Sequence, residues 1–415
     1  MLLSYLKIAW KVLLRRKFFT FISLFGISFT LMILLVVYAF YDHTVGPHTP
    51  EKKMDRLLFI DRMNLLYKDG GQSNSSPSYA FLERYVRQMK TPEKISISTT
   101  VGATVAFIDN QKLELSEKYT DGQFWQILDF KFLEGRPYTV REVKEAARVI
   151  VLNESTSRKY FGTATGVVGR TFETFQKRYQ VVGVVEDVPA MRYHSYSDIW
   201  MPITTSVQDI RSKEYMGSAM AILLARSAAD VPTMKQEYQR IVAQVPMPDP
   251  KVFSAVRTYA EPLLGSVMRQ GFNYVEEDNG VGRFAAVALG LAFLFMLLPA
   301  LNLVNINVSR ILERSSEIGV RKAFGATAGT LIGQFLVENI FLTLLGGLLG
   351  LVLAAGMLNL LNTSNFIAYA SLTLNWRVFL CGLLASLVFG VLSGVYPAYK
   401  MSKLQAVKAL KGGSN

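Results

Sequence analysis

Cysteine and histidine are nearly absent from this 415-residue chain: Cys381 is the one cysteine, set in an apolar run, and the three histidines are His43, His48 and His194. That scarcity excludes a disulfide framework, a CxxC metal site and a multi-histidine metal centre. Any extracytoplasmic part must be stable through its core alone, and the histidines read as surface or loop residues. No GxxxxGK[ST], GxSxG or HExxH occurs either, so there is no P-loop to cradle a nucleoside triphosphate, no nucleophile elbow and no zinc-protease helix. Charge is scarce as well, 19% of residues against 50% apolar, and the mean hydropathy is +0.24. A chain so oily is not an ordinary soluble enzyme, and with 12% aromatics it is not disordered. A membrane protein is the class that remains.

Long apolar runs are what the sequence does have. Residues 18–41 carry no charge and lie between Arg15, Arg16 and Lys17 on one side and Asp42 on the other, a length that spans about 30 Å of hydrocarbon as a helix. A cleaved signal peptide would have a shorter apolar core followed by small residues; Val37, Tyr38, Phe40 and Tyr41 are bulky instead. Three more runs follow at residues 284–308, which include Pro299, 331–361, which include Glu338, and 378–396, preceded by Arg377. The expected layout is an α-helical membrane protein with four transmembrane helices at residues 18–41, 283–308, 327–361 and 376–397. A large α+β extracytoplasmic domain, residues 42–282, is inserted between helices 1 and 2, with an external loop at 362–375.

The basic excess fixes the topology. Of the formal +13, residues 1–17 contribute +5 (Lys7, Lys11, Arg15, Arg16, Lys17), and the tail after Pro397 contributes +4 (Lys400, Lys403, Lys408, Lys411). The segment between helices 2 and 3 contributes +2, from Arg310, Arg314, Arg321 and Lys322 against Glu313 and Glu317. By the positive-inside rule both termini and that segment are cytoplasmic and the inserted domain is outside. Because the charge flanks the membrane instead of gathering on one face among aromatics, a nucleic-acid partner is excluded. Within residues 1–17, Ser4, Lys7, Lys11 and Arg15 repeat at helical spacing beside Trp10, which fits an amphipathic helix lying in the cytoplasmic interface, or equally a plain extension of helix 1. Residues 398–415 form a cytoplasmic tail.

Inside the insert, residues 57–60 read as a strand, the polar stretch 69–77 as a loop and residues 79–89 as a helix. Residues 149–152 read as a strand running into Asn153, a cap for a helix over 154–161 that Gly162 ends, and 179–185 as a buried strand. Strands at 221–225 and 252–258 flank a helix over 231–242 capped by Asp230. One strand–helix–strand unit precedes the middle and another follows it, which suggests a split subdomain, about 50–105 with 215–265, carrying an inserted one at about 106–205.

The membrane runs are dry. Their one acid, Glu338, lies about eleven residues, or ~16 Å, into helix 3 if Thr327 caps it, and an interhelical bond to Asn302, Asn305 or Asn307 would account for it better than an ion-relay role. Such helices line no obvious solute path. Gly382, Ser386, Gly390 and Gly394 repeat every four residues in helix 4, and Gly346 and Gly350 do so in helix 3; both stripes allow close packing, within the chain or across a dimer. On a helix at 309–326, Arg310, Glu313, Arg314, Glu317 and Arg321 fall on one arc of about 100°, with Gly325 as its C-terminal stop. A regular mixed-charge arc suits a docking partner better than a solvated loop.

These residues resemble a known family. The run from Glu313 and Arg314 through Glu317-Ile318-Gly319-Val320-Arg321-Lys322-Ala323-Phe324-Gly325-Ala326, followed by Gln334-Phe335-Leu336-Val337-Glu338 and the Gly346–Gly350 stretch, is similar to the MacB/FtsX-type ABC transporter permeases. Val151-Leu152-Asn153-Glu154, Tyr160-Phe161-Gly162, Val168-Gly169-Arg170, residues 181–188 and Tyr396-Pro397-Ala398 resemble the same family. The resemblance implies a dimer of permeases, homomeric or heteromeric, in lipid of the cytoplasmic (inner) membrane, joined to a separate ATP-binding subunit that holds ATP and magnesium. This chain itself would have no cofactor, no catalytic residue and no metal. Arg310, Glu313, Arg314, Glu317, Ile318, Gly319, Arg321, Lys322 and Gly325 would form the coupling helix on the ATPase. The resemblance further implies mechanotransmission, with export or extraction of a peptide, toxic compound or lipoprotein and a possible periplasmic adaptor. Its alternative is an FtsX-like signalling permease that activates a cell-wall hydrolase.

Overall fold

A computed structural model describes residues 14, 17–108, 111–206, 210, 212–313, 320, 324, 327–364, 368–369 and 371–402. The chain divides into two compact units, one of residues 1–42, 285–366 and 372–415, the other of residues 43–284 with 367–371. The principal helices in chain order are α1 (Lys17–Val45), α2 (Glu154–Phe161), α3 (Val231–Ala243), α4 (Leu263–Phe272), α5 (Val281–Glu313), α6 (Ala328–Thr363) and α7 (Trp376–Ser402).

Helices α1, α5, α6 and α7 contain 29, 33, 36 and 27 residues, each more than the ~20 needed to span a bilayer, and the four apolar runs lie within them. Thr327 begins α6 by accepting a hydrogen bond from the Thr330 amide. The other three helices pack on α1: Ile27 and Leu31 meet Leu303 and Leu342, while Leu35 meets Ala354 and Phe379. Further along, Ala39 meets Leu358 and Leu372. Pro299 sits within α5 and lies against Gly26 of α1, where an added Cβ would stand 3.7 Å from the proline Cβ. Phe18, Phe21, Phe25 and Phe29 line the outward side of α1 as exposed rings, the last three stacked in succession at 6.0 and 5.3 Å.

The second unit contains fourteen strands among the described residues: β1 (Leu57–Ile60), β2 (Met63–Tyr67), β3 (Gln72–Pro77), β4 (Lys94–Thr99), β5 (Gly102–Ile108), β6 (Gln111–Thr120), β7 (Phe132–Gly135), β8 (Val149–Asn153), β9 (Thr171–Thr174), β10 (Lys177–Val185), β11 (Ile199–Pro202), β12 (Met216–Gly217), β13 (Ala219–Leu224) and β14 (Phe253–Thr258). Ten form one mixed sheet in the order β1-β13-β4-β6-β11-β8-β10-β7, with β5 on β6 and β9 on β10. The sheet is antiparallel from β1 to β6, parallel at β6–β11 and β8–β10, and β4 meets β6 through one pair, Ser98 with Thr120. A second sheet has the order β12-β3-β2-β14. Strands β8, β11 and β13 are buried on both faces, which is why they read as continuous apolar runs in the sequence. The core carries large side chains, Trp200, Tyr119, Tyr138, Tyr179 and Phe59 among them.

Local signals explain α2. Asn153 accepts from the Thr156 amide at its start, and Gly162 adopts φ 80° at its end, the left-handed geometry that glycine reaches without strain. Three sequence expectations need correction. The polar stretch 69–77 is a loop only to Gly71; Gln72–Pro77 is strand β3, paired with β2 from Met63–Ser75 to Leu66–Gln72. Its serines and asparagine lie on a half-exposed strand, so no apolar alternation marked it. Asp230 makes no side-chain cap on α3; its carboxylate instead accepts from Ser227 N and Oγ, closing a capping box one turn earlier. Nor is His43 a surface or loop residue: it lies within α1 and is 7% exposed, while His194, in the loop between β10 and β11, is 1% exposed.

Candidate functional site

The residues expected to dock a partner lie at the end of α5 and beyond it. Arg310 and Glu313 belong to the last turn of α5. Arg314, Glu317, Ile318, Gly319, Arg321, Lys322 and Gly325 lie outside the described residues, as does the expected helix at 1–17 apart from residues 14 and 17. Between them the Phe324 amide donates to Val320 O at 3.0 Å, a helical i to i+4 bond, and the Phe324 side chain is 89% exposed.

The expected packing positions can be placed one by one. A Cβ on Gly346 would stand 2.9 Å from Ile27, and one on Gly350 2.9 Å from the backbone oxygen of Ser28, so both glycines bring α6 against α1. A Cβ on Gly382 of α7 would stand 3.1 Å from Leu31, and one on Gly390 would stand 2.7 Å from Thr343 Oγ1 of α6. Ser386 Oγ donates to Gly382 O; the surroundings of Gly394 lie outside the described residues. Glu338 is 3% exposed and accepts from Gln334 Nε2 at 3.2 Å. At least one partner of this carboxylate thus comes from its own helix, one turn back.

Sequence reasoning missed a buried polar joint in the extracytoplasmic unit, built around the loop between β10 and β11. Arg192, whose side chain has no exposed surface, donates from Nη1 to Glu51 Oε2 at 2.8 Å and from Nη2 to the carbonyls of His43 and Gly46 at 2.9 Å each. Ser195 Oγ donates to the other Glu51 oxygen. Beneath the same loop Lys118 of β6 donates to the carbonyls of Tyr193 and His194 at 3.0 and 2.7 Å. His194 Nε2 stands 2.6 Å from Asp61 Oδ2, which also accepts from Ser266 Oγ and Gln270 Nε2 of α4. Glu261, 3% exposed, completes the joint by accepting from Arg269 of α4, Lys235 of α3 and Asn279 just before α5.

Burial pushes the Lys118 ammonium down to about 7, against the pull of Glu51 and Asp61. Burial alone would raise Asp61, but the hydrogen bond and charge of His194, with Ser266 and Gln270, outweigh it and hold the carboxyl below its ordinary range. Chemically the joint holds and does not react. Ser266, His194 and Asp61 are the residue types of a hydrolase triad, yet Asp61 and Ser266 both meet the same ring nitrogen and Ser266 Oγ donates to Asp61. A triad needs the acid and the serine on opposite ring nitrogens, with the serine open to substrate; here all three are nearly fully buried. No group of three potential metal ligands occurs among the described residues. The sequence signal for the joint is faint, a basic and aromatic run in a loop (Arg192, Tyr193, His194), because its partners are far away in the chain.

Residues 20–241, more than half of the chain, match the MacB-like periplasmic core domain, and residues 289–406 match the FtsX-like permease C-terminal region. The uncharacterized ABC transporter permease YknZ of Bacillus subtilis is 23% identical over 344 residues, 81% of either chain. The pyoverdine export ATP-binding/permease protein PvdT of Pseudomonas syringae is 25% identical over 98% of this chain and 59% of its own. The macrolide export ATP-binding/permease protein MacB of Salmonella typhimurium is 25% identical over 83% of this chain and 51% of its own. This chain therefore spans between half and three-fifths of the length of the last two. The two matched regions follow one another as the structure does, a soluble domain inserted after one membrane helix and then three more helices: the chain belongs to the MacB/FtsX-type ABC transporter permeases.

Proposed function

We propose that this chain is the transmembrane subunit of an ABC transporter that works by mechanotransmission. A separate ATPase subunit, binding ATP and magnesium, docks on the cytoplasmic segment around Glu313 to Gly325, and its closure is passed through the membrane helices to the extracytoplasmic domain. Two permease chains form the working unit, with a periplasmic adaptor as a further partner, and the output is export or extraction of a peptide, toxic compound or lipoprotein. The observation that carries this reading is the buried joint. The end of α1 with the segment that follows it (His43, Gly46, Glu51) and the segment that precedes α5 (Ser266, Arg269, Gln270, Asn279) are fastened to the domain by buried charge. Attachments that must carry force need that stiffness, and a channel for solute would not. The dry membrane runs agree, since substrate need not pass between them.

The second reading is an FtsX-like signalling permease that activates a cell-wall hydrolase. The match to the MacB-like core over residues 20–241 favours transport. Purifying the tagged chain from membranes in mild detergent and identifying its stoichiometric companions by mass spectrometry tests the proposal. A P-loop ATPase at about one per permease is the expected result; intact preparations that reproducibly lack one would sink it.

A further inference from the structure

Loop 190–198 is bonded by a third segment as well. Residues 367–371 lie between α6 and α7 in the chain but belong to the compact unit of residues 43–284. Tyr369 donates from its hydroxyl to Asp198 Oδ1 at 3.0 Å, Ala190 N donates to Ala368 O at 3.1 Å, and the rings of Tyr196 and Tyr369 stand 6.4 Å apart. Asp198 is a prepared acceptor: Asn153 Nδ2 and the Ser116 amide already fix its two oxygens. Tyr369 has φ 60°, a left-handed conformation that a bulky residue rarely adopts.

The loop thus receives bonds from the segment after α1 through Arg192 and Ser195, from the segment before α5 through His194 and Asp61, and from the segment between α6 and α7 through Ala190 and Asp198. It then runs straight into β11, between β6 and β8 in the middle of the ten-stranded sheet. The three attachments are unequal. Arg192 and Glu51 are closed to water, whereas Ala368 is exposed and Tyr369 half-buried, so water can replace the bonds of the third attachment and not those of the first. We infer that loop 190–198 is the joint where motion of the membrane helices is gathered, and that the Tyr369–Asp198 contact is its detachable arm, opening once per working cycle. This rests on the mechanotransmission reading and adds the point at which force enters the domain.

The test traps the arm. An N···O distance of 3.1 Å places the Cα atoms of residues 190 and 368 about 5–6 Å apart, within disulfide range. In a Cys381→Ser background, Ala190→Cys with Ala368→Cys is made in the full chain, purified with its companion ATPase and reconstituted in vesicles. Oxidation should join the two peptides, as read by mass spectrometry, and lower ATP hydrolysis about tenfold or more, with recovery on reduction. Tyr369→Phe, which removes the hydroxyl and leaves the Ala190–Ala368 backbone bond in place, should raise basal hydrolysis about threefold. Complete cross-linking with hydrolysis unchanged would overturn the inference and leave the proposed function standing, as would failure of the pair to cross-link at rest. Absence of any companion ATPase would overturn both.

Discussion

Arg192 and Glu51 illustrate the cost of burying charge. Neither side chain has exposed surface, so removing one partner strands the other in a medium that cannot solvate it. Arg192→Met should therefore destabilise the domain by about 3–5 kcal/mol, lowering the melting temperature of the full chain in detergent; a shift within error would mean that the pair is not closed to water. A second residue sets a pH dependence. Burial raises the carboxyl of Glu117 from 4.5 to about 7, with only Tyr119 opposing. Between those values the folded chain keeps a proton that the unfolded chain releases, so the stabilisation is fully present below about pH 4.5 and is lost as pH rises through 7. Glu117→Gln should abolish that slope and raise the melting temperature at pH 8 by a few degrees. Thermal scans from pH 4.5 to 8 on both proteins decide it.

At the scale of elements, glycine placement separates contact from conformation. A methyl group on Gly350 would meet backbone oxygen at 2.9 Å, whereas one on Gly356 of the same helix meets nothing within 4 Å. Gly350→Ala should thus push α6 from α1 and cost about 1–3 kcal/mol, while Gly356→Ala should be neutral or stabilise by up to ~1 kcal/mol through helix propensity. Equal melting temperatures for the two variants would contradict the packing. The strands show the opposite limit of local reading. β8 and β13 announced themselves by apolar runs, but β3, made of Gln72, Ser73, Asn74, Ser75, Ser76 and Pro77, takes its identity from pairing with β2 and not from its own composition.

For the whole molecule, the proposed docking segment gives the remaining prediction. Glu317→Lys adds positive charge on the cytoplasmic side and so preserves insertion, but it reverses a charge in the segment proposed to dock the ATPase. The variant should reach the membrane in normal amount and recover markedly less ATPase on affinity purification; full recovery would move the docking surface elsewhere. The four spans and the side of the membrane on which the domain lies were legible because each rests on patterns within about 20 neighbouring residues or on the charges beside them. Helix α2 was legible to the residue, since Asn153 and Gly162 are local punctuation.

The joint was not legible, and the reason is distance along the chain. Arg192 meets Glu51 across 141 residues, His194 meets Asp61 across 133 and Tyr369 meets Asp198 across 171. Taken singly, each of these is an ordinary polar residue that a surface loop would accommodate, and none lies in a periodic pattern. By itself the sequence determined a membrane protein with four spans and a soluble insert, because hydropathy and charge act on short segments against a bilayer of fixed thickness. Only the tertiary structure decided which polar residues leave water together, because burial of a charge is set by the sheet and loops that close over it and not by its neighbours in sequence.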